Sequence, residues 1–165
     1  MRKINQPGRS NVLSTNAMVA TSQPLSSQEA VNILKLGGNA VDAAIAASAV
    51  LSVVEPGSTG IGGDCFAIIK MNNKKAISVN GSGIAPKKAS IDYYKKNKID
   101  SIGLLSAHSV TIPGAVHAWY AMHNKYGSLE FEKLFATAIY YAKQGFPVHE
   151  IEAFHWKKNE EKLKK

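Results

Sequence analysis

The stretch Gly37–Phe66, GGNAVDAAIAASAVLSVVEPGSTGIGGDCF, constrains this chain more than any other. It joins a glycine pair, a long apolar run, a proline stop and a glycine-rich turn. Asn39 is a good N-cap, because its side-chain oxygen accepts hydrogen bonds from the first free N–H groups of a helix. From Ala40 to Val53 the only polar residues are Asp42, Ser48 and Ser52. Asp42 falls in the first turn, where a negative charge suits the helix dipole. The alanines favour helix and allow close backbone approach. A helix apolar on nearly every side must be buried. At 1.5 Å per residue it is about 21 Å long, too short and too punctuated to cross a bilayer. Pro56 ends it, since the residue before a proline avoids helical geometry. Gly57, Gly60, Gly62 and Gly63 then supply turns.

Such a helix needs neighbours, and the flanking sequence predicts them. Residues 1–14 read as a polar, extended lead-in, and Ala17–Thr21 as a short buried strand. Ser26 followed by Glu29 predicts a capping box opening a helix with Ala30, Ile33 and Leu34 on its inner face. Gly37–Gly38 stops that helix and makes an αα-hairpin with the next. Cys65–Met71 and Ala76–Val79 read as two strands joined through the turn residues Asn72-Asn73-Lys74. Asn80-Gly81-Ser82-Gly83 reads as a second, flexible turn. Further helices are expected over 90–97, with Ser90 as cap, and over 114–126, with Val116, Trp119, Tyr120 and His123 inward. Two more are expected over 131–143, with Leu134, Phe135, Ala138, Ile139 and Ala142 inward, and over 154–165. No internal repeat or linker interrupts this order. The expectation is one α+β domain over residues 1–165.

The net charge is +8, carried by lysines in short clusters such as Lys87–Lys88 and the run after Trp156. Aromatic residues do not interleave with them as a single-strand platform requires, so a solvated surface is expected and no specific nucleic-acid partner. One cysteine excludes an intramolecular disulfide. The basic start MRKINQPGRSN leads into no apolar segment, so no signal peptide is read and a cytoplasmic location is the expectation.

Few residues suggest chemistry by spacing alone. Gly60-Ile61-Gly62-Gly63 follows a helix and opens a strand, whereas a phosphate loop follows a strand and opens a helix. A structural turn is the plainer reading. Cys65 begins an apolar strand beside Asp64, a neighbour that raises a thiol pKa, so it reads as a small buried residue. The five histidines, at 108, 117, 123, 149 and 155, show no metal-ligand spacing, and no metal or other cofactor is expected. Asn80, Gly81 and Ser82, at a strand end, form a candidate substrate-contact turn, although a plain connector would read the same way. Spacing alone defines no nucleophile, base and oxyanion set.

Longer motifs say more. MVATSQPLSSQEA, ILKLGGNAVDAAIAASAVLSVVEP and STGIGGDCF, followed by VTIPGAVHAW, YGSLEF and LFATAIYYAKQGFPV, closely resemble the gamma-glutamyltransferase (glutathione hydrolase) family. The likeness runs from about Gly8 to Val148 and matches the N-terminal part of that family's large subunit. It implies an N-terminal-nucleophile hydrolase, built as an αββα sandwich and working without a metal cofactor. In such proteins self-cleavage exposes a threonine whose hydroxyl attacks a γ-glutamyl carbonyl, with its own amino group as base. Water or an amine then resolves the acyl-enzyme.

Two departures shape the expectation for this chain. None of Thr15, Thr21, Thr59, Thr111 and Thr137 sits in the family's autocleavage context, so no catalytic residue is assigned. The chain is read as an incomplete portion of the sandwich, inactive alone and marginally stable. A complementary chain carrying the threonine-led small subunit is the implied partner. In addition, family members carry an arginine in the turn before Ala85-Pro86 to grip the substrate's α-carboxylate. Ser82 stands at that place, and Ile84 stands where a divergent branch carries its arginine. A serine forms no bidentate charged clamp. The substrate is then a γ-glutamyl or another amide. The alternative is a non-catalytic binding or scaffold remnant of the fold.

Overall fold

A computed structural model describes residues 11–164. Most of the extended lead-in expected over 1–14 therefore lies outside the described residues, as does Lys165. The elements run α1 (Pro24–Lys35), α2 (Ala40–Val54), β1 (Cys65–Ile69), β2 (Ile77–Gly81), α3 (Ile91–Lys96), α4 (Ala115–Tyr126), α5 (Ala136–Gln144) and α6 (Glu150–Leu163). This is an α+β arrangement. A two-stranded antiparallel sheet pairs Cys65 with Gly81 and Ile69 with Ile77. Helix α4 packs against the inner face of that hairpin, which turns Cys65, Ala67, Ile69 and Val79 toward the core.

α2 is the centre of the core. Ile45, Ala46, Val50 and Val54 are buried on it, against Ala30 and Ile33 of α1, Trp119 and Met122 of α4, and Leu134 and Ala138 around α5. Its start is as expected and more. Asn39 caps Val41 and Asp42, and the Asp42 carboxylate accepts from the Asn39 N–H at 2.9 Å, closing a capping box. The same carboxylate also accepts the Ser128 N–H through both oxygens, at 3.1 and 3.0 Å. Asn39 Nδ2 donates to the Tyr126 carbonyl at 2.6 Å. The loop after α4 is thereby tied to the N-terminus of α2. Between α1 and α2, the Gly38 N–H reaches the Ile33 carbonyl and the Gly37 N–H reaches that of Leu34, the Schellman pattern, with Gly37 at φ 92°.

Several expectations need correction. α1 is capped by Gln23, whose side chain accepts from Leu25 and Ser26, and Pro24 takes the first helical position. Ser26 is spent elsewhere, its hydroxyl donating to the Ala47 carbonyl of α2 at 2.9 Å. Ala17–Thr21 forms no strand, because no described segment pairs with it; a strand needs a ladder partner. β2 extends through Asn80 and Gly81, so these belong to the sheet and not to a flexible turn. The segment expected as one helix over 131–143 begins with a 3-10 turn, Phe131–Phe135. On α4 the buried side is Ala115, Ala118, Trp119 and Met122, while Val116 and Tyr120 are exposed. Leu134 and Ala138 are buried as expected, but Ile139 and Ala142 face outward. α6 starts at Glu150, four residues earlier than the sequence suggests.

Candidate substrate-contact site

The hairpin ends where three glycine-bearing segments meet. β2 carries Asn80 and Gly81 to the sheet's end, and the chain leaves through Ser82 and Gly83. Gly83 has φ +75°, and a Cβ there would stand 1.9 Å from the Ile112 carbonyl oxygen, so no other residue fits. Gly114 lies so near Gly81 that a Cβ on it would meet the Gly81 carbonyl oxygen at 2.3 Å. The strand end and the start of α4 are therefore in backbone contact, which side chains at these positions would forbid.

Hydrogen bonds fix the same junction. Gly114 and Ala115 both donate their N–H groups to the Gly63 carbonyl, at 3.0 and 3.1 Å. α4 has no side-chain cap, and this carbonyl satisfies its first free donors instead. The Ile112 N–H donates to Ile84 O at 2.9 Å, and Thr111 Oγ1 donates to Ser82 O at 3.2 Å. Asn80 Oδ1 accepts from the Ser82 N–H at 3.0 Å, locking the turn from within. The structural reading of the 60–63 glycines thus holds for Gly63, whose carbonyl anchors a helix.

The three candidate residues are brought together: Asn80 is exposed and Gly81 and Ser82 are half-buried, consecutive at the strand end. They do not line the apolar groove between α2 and β1. That groove, of about 240 Å³, is walled by Ile45, Cys65, Ala67, Ile69 and Trp119. Neither Ser82 nor Ile84 supplies a cation to the turn. The Thr111 bond to Ser82, the Gly63 bonds to the start of α4 and the approach of Gly114 to Gly81 and Gly83 were not legible, because they join segments distant in sequence. The repeated glycines near strand ends were the available signal.

Cys65 opens β1 opposite Gly81. Burial pushes its thiol pKa up; a hydrogen bond with Trp119 opposes this, and Asp64 adds to the rise. The thiol is held protonated rather than activated. The histidines are scattered. His108 packs edge-on against Tyr93 and Tyr94. His123 Nε2 lies 2.7 Å from the Leu129 carbonyl, which accepts only, so that nitrogen carries the hydrogen. Among the described residues no group of three or more His, Cys, Asp or Glu is placed to hold a metal ion. Among them, too, no helix is long and apolar enough to cross a membrane.

A helical core carrying a single hairpin with a glycine-locked exit is an α+β unit, and its likeness to known proteins gives the family. Residues 26–165 match the family model described as gamma-glutamyltranspeptidase, and the chain belongs to that family. The glutathione hydrolase-like YwrD proenzyme of Bacillus subtilis is 43% identical over 155 residues, which cover 93% of this chain and 29% of that protein. The crystal structure of Helicobacter pylori gamma-glutamyltranspeptidase superposes with a TM-score of 0.83 at 30% identity, over 92% of this chain and 44% of that one. Cephalosporin acylase from Bacillus halodurans gives a TM-score of 0.83 at 37% identity, over 98% of this chain and 31% of that one. The chain thus spans less than half the length of each of these relatives.

Proposed function

We propose that this chain forms one wall of an amide-cleaving, acyl-transferring site. Asn80, Gly81 and Ser82 contact the acyl group, and a threonine-led complementary segment supplies the nucleophile. The observation that carries this reading is the backbone lock around Ser82. Gly83, Gly114 and the Thr111 hydroxyl hold the turn in one geometry, as a surface that must meet a substrate requires. The turn offers neutral donors and no cation, which favours an acyl group other than γ-glutamyl. The likeness to a cephalosporin acylase supports the same extension of substrate class. A single cysteine fits a reducing, cytoplasmic setting.

The test is chromophore release from a γ-glutamyl anilide and from a panel of neutral acyl anilides. The chain is assayed alone and mixed with a threonine-led small-subunit half from a close relative. Turnover in the mixture only is expected, with the neutral acyl anilides preferred. Turnover by the chain alone would show that the nucleophile lies within these residues. Silence of a folded mixture on every amide would favour the non-catalytic scaffold reading.

A further inference from the structure

The outer face of the hairpin carries a pattern that the helical core does not explain. Alternate residues of β1 point outward, and Asp64, Phe66, Ile68 and Lys70 share that parity. All four are exposed, Phe66 by 65% and Ile68 by 81%. Their neighbours across the hairpin, Asn80 beside Phe66 and Ser78 beside Ile68, are exposed and polar. The apolar surface is therefore a ribbon along β1, with an acid at one end and a base at the other. From Asp64 to Lys70 an extended chain runs about 20 Å. Lys70 Nζ reaches the Met71 carbonyl at 3.3 Å. Among the described residues neither Asp64 nor Lys70 forms an ion pair.

Such a ribbon is its own complement when reversed. Two copies laid face to face, about 10 Å apart with their β1 strands antiparallel, set Phe66 over Ile68 of the second copy. The same two-fold sets Asp64 against Lys70 of the second copy, and Lys70 against its Asp64. Both charge pairs form at once, because the axis passes beside Ala67, midway between them. Ser78 and Asn80 of the two copies then make a polar rim. The core helices lie on the opposite face of each hairpin, clear of the contact. We propose that this outer face is a self-association surface, and that its occupant is a second copy of this chain. A partner of one charge sign satisfies one end of the ribbon, whereas a reversed copy satisfies both. A face this small supports a weak dimer and not an obligate one. Asn80 also belongs to the candidate turn, but association is read without any substrate, so the proposal stands apart from the acyl-transfer reading.

The test is sedimentation equilibrium of the purified chain from about 10 to 500 µM at low salt. A dimer with a Kd of about 100 µM is expected, weakening as salt is added. Asp64→Lys and Lys70→Asp each turn both pairs into like-charge contacts, and each should weaken association about tenfold. An equal mixture of these two variants should restore it, and so should the double reversal Asp64→Lys with Lys70→Asp. Ile68→Ser should abolish it. All three positions are exposed, so the variants should keep the helical circular dichroism of the parent chain. A chain that stays monomeric to about 500 µM would overturn the proposal, including one that binds only a threonine-led small-subunit half. So would a dimer indifferent to the single reversals, or a loss that neither the mixture nor the double reversal restores.

Discussion

α2 and β1 are neighbours in sequence, joined by the glycine-rich segment 55–64, yet they reach opposite conditions. α2 buries Val41, Ile45, Val50 and Val54 against helices that come before and after it. β1 has no fully buried residue; its pattern alternates half-buried and exposed, with Phe66 65% and Ile68 81% exposed. The helical half closes its own core because α1, α4 and α5 surround α2. The hairpin has helices on one face only, and its outer face keeps apolar side chains in water. Such a face costs solubility when left open. The helices are therefore expected to set the stability of the chain and the hairpin to set its associations.

The strongest way to break that contrast is to truncate one apolar residue on each side. Ile45→Ala should lose about 2–5 kcal/mol, through lost transfer energy plus a cavity in the packed centre. Ile68→Ala should change stability by no more than about 0.5 kcal/mol. Urea midpoints at constant slope would measure both, and equal effects would mean that the hairpin's outer face is packed.

Next in size is the tie that holds the α4–α5 loop to α2. Asp42 is fully buried and accepts from Asn39 and twice from Ser128. Asp42→Ala should cost about 2–4 kcal/mol, since it leaves both N–H groups without acceptors and removes half of a capping box. Restoration of that stability by Asp42→Asn, which retains one oxygen, should be partial. Full restoration would show that the charge contributes nothing.

A smaller loss is expected at the hairpin's exit. Gly83→Ala places a Cβ against the Ile112 carbonyl and forces a non-glycine residue to φ +75°. A cost of about 1–3 kcal/mol is expected, confined to the strand end and the start of α4. Amide exchange should quicken at Ile112, which donates to Ile84, and at Gly114 and Ala115, which donate to Gly63, while α1 and α2 stay protected. Uniform quickening would show that the junction and the core unfold together.

Particular residues show what the sequence made legible. The α2 helix, its Asn39 cap and its stop at Pro56 were readable because the signals are local: a capping residue, an alanine-rich run, a proline. The hairpin was readable for the same reason. Asp42 was read only as a dipole partner, because its bonds to Ser128 join residues far apart in the chain. Ser26 carried a capping signature, yet its hydroxyl went to Ala47, a tertiary contact overriding a local pattern. At the candidate site, Asn80, Gly81 and Ser82 could be named from a strand end and its glycines. The lock that Thr111, Gly63 and Gly114 place around them could not be named, since it depends on three segments meeting.

The smallest effect concerns Cys65, at the seam of the two halves. Its thiol is held up chiefly by burial, and its hydrogen bond with Trp119 partly offsets the rise. The folded state therefore binds its proton more tightly than the unfolded state does. Stability from this group is fully present below the unfolded thiol pKa and declines as pH rises from there through the folded pKa. Alkylation by iodoacetamide at about pH 8.5 should be slower than for a free thiol, because less thiolate is present. Trp119→Phe removes an indole donor that favours the thiolate, so the thiol should titrate still higher, with alkylation slower again in protein that stays folded. Cys65→Ala should flatten the part of the pH dependence of stability that this thiol contributes. If alkylation matched that of a free thiol while α2 amides stayed protected, β1 would be opening independently of the helices, and the seam would be looser than its hydrogen bonds imply.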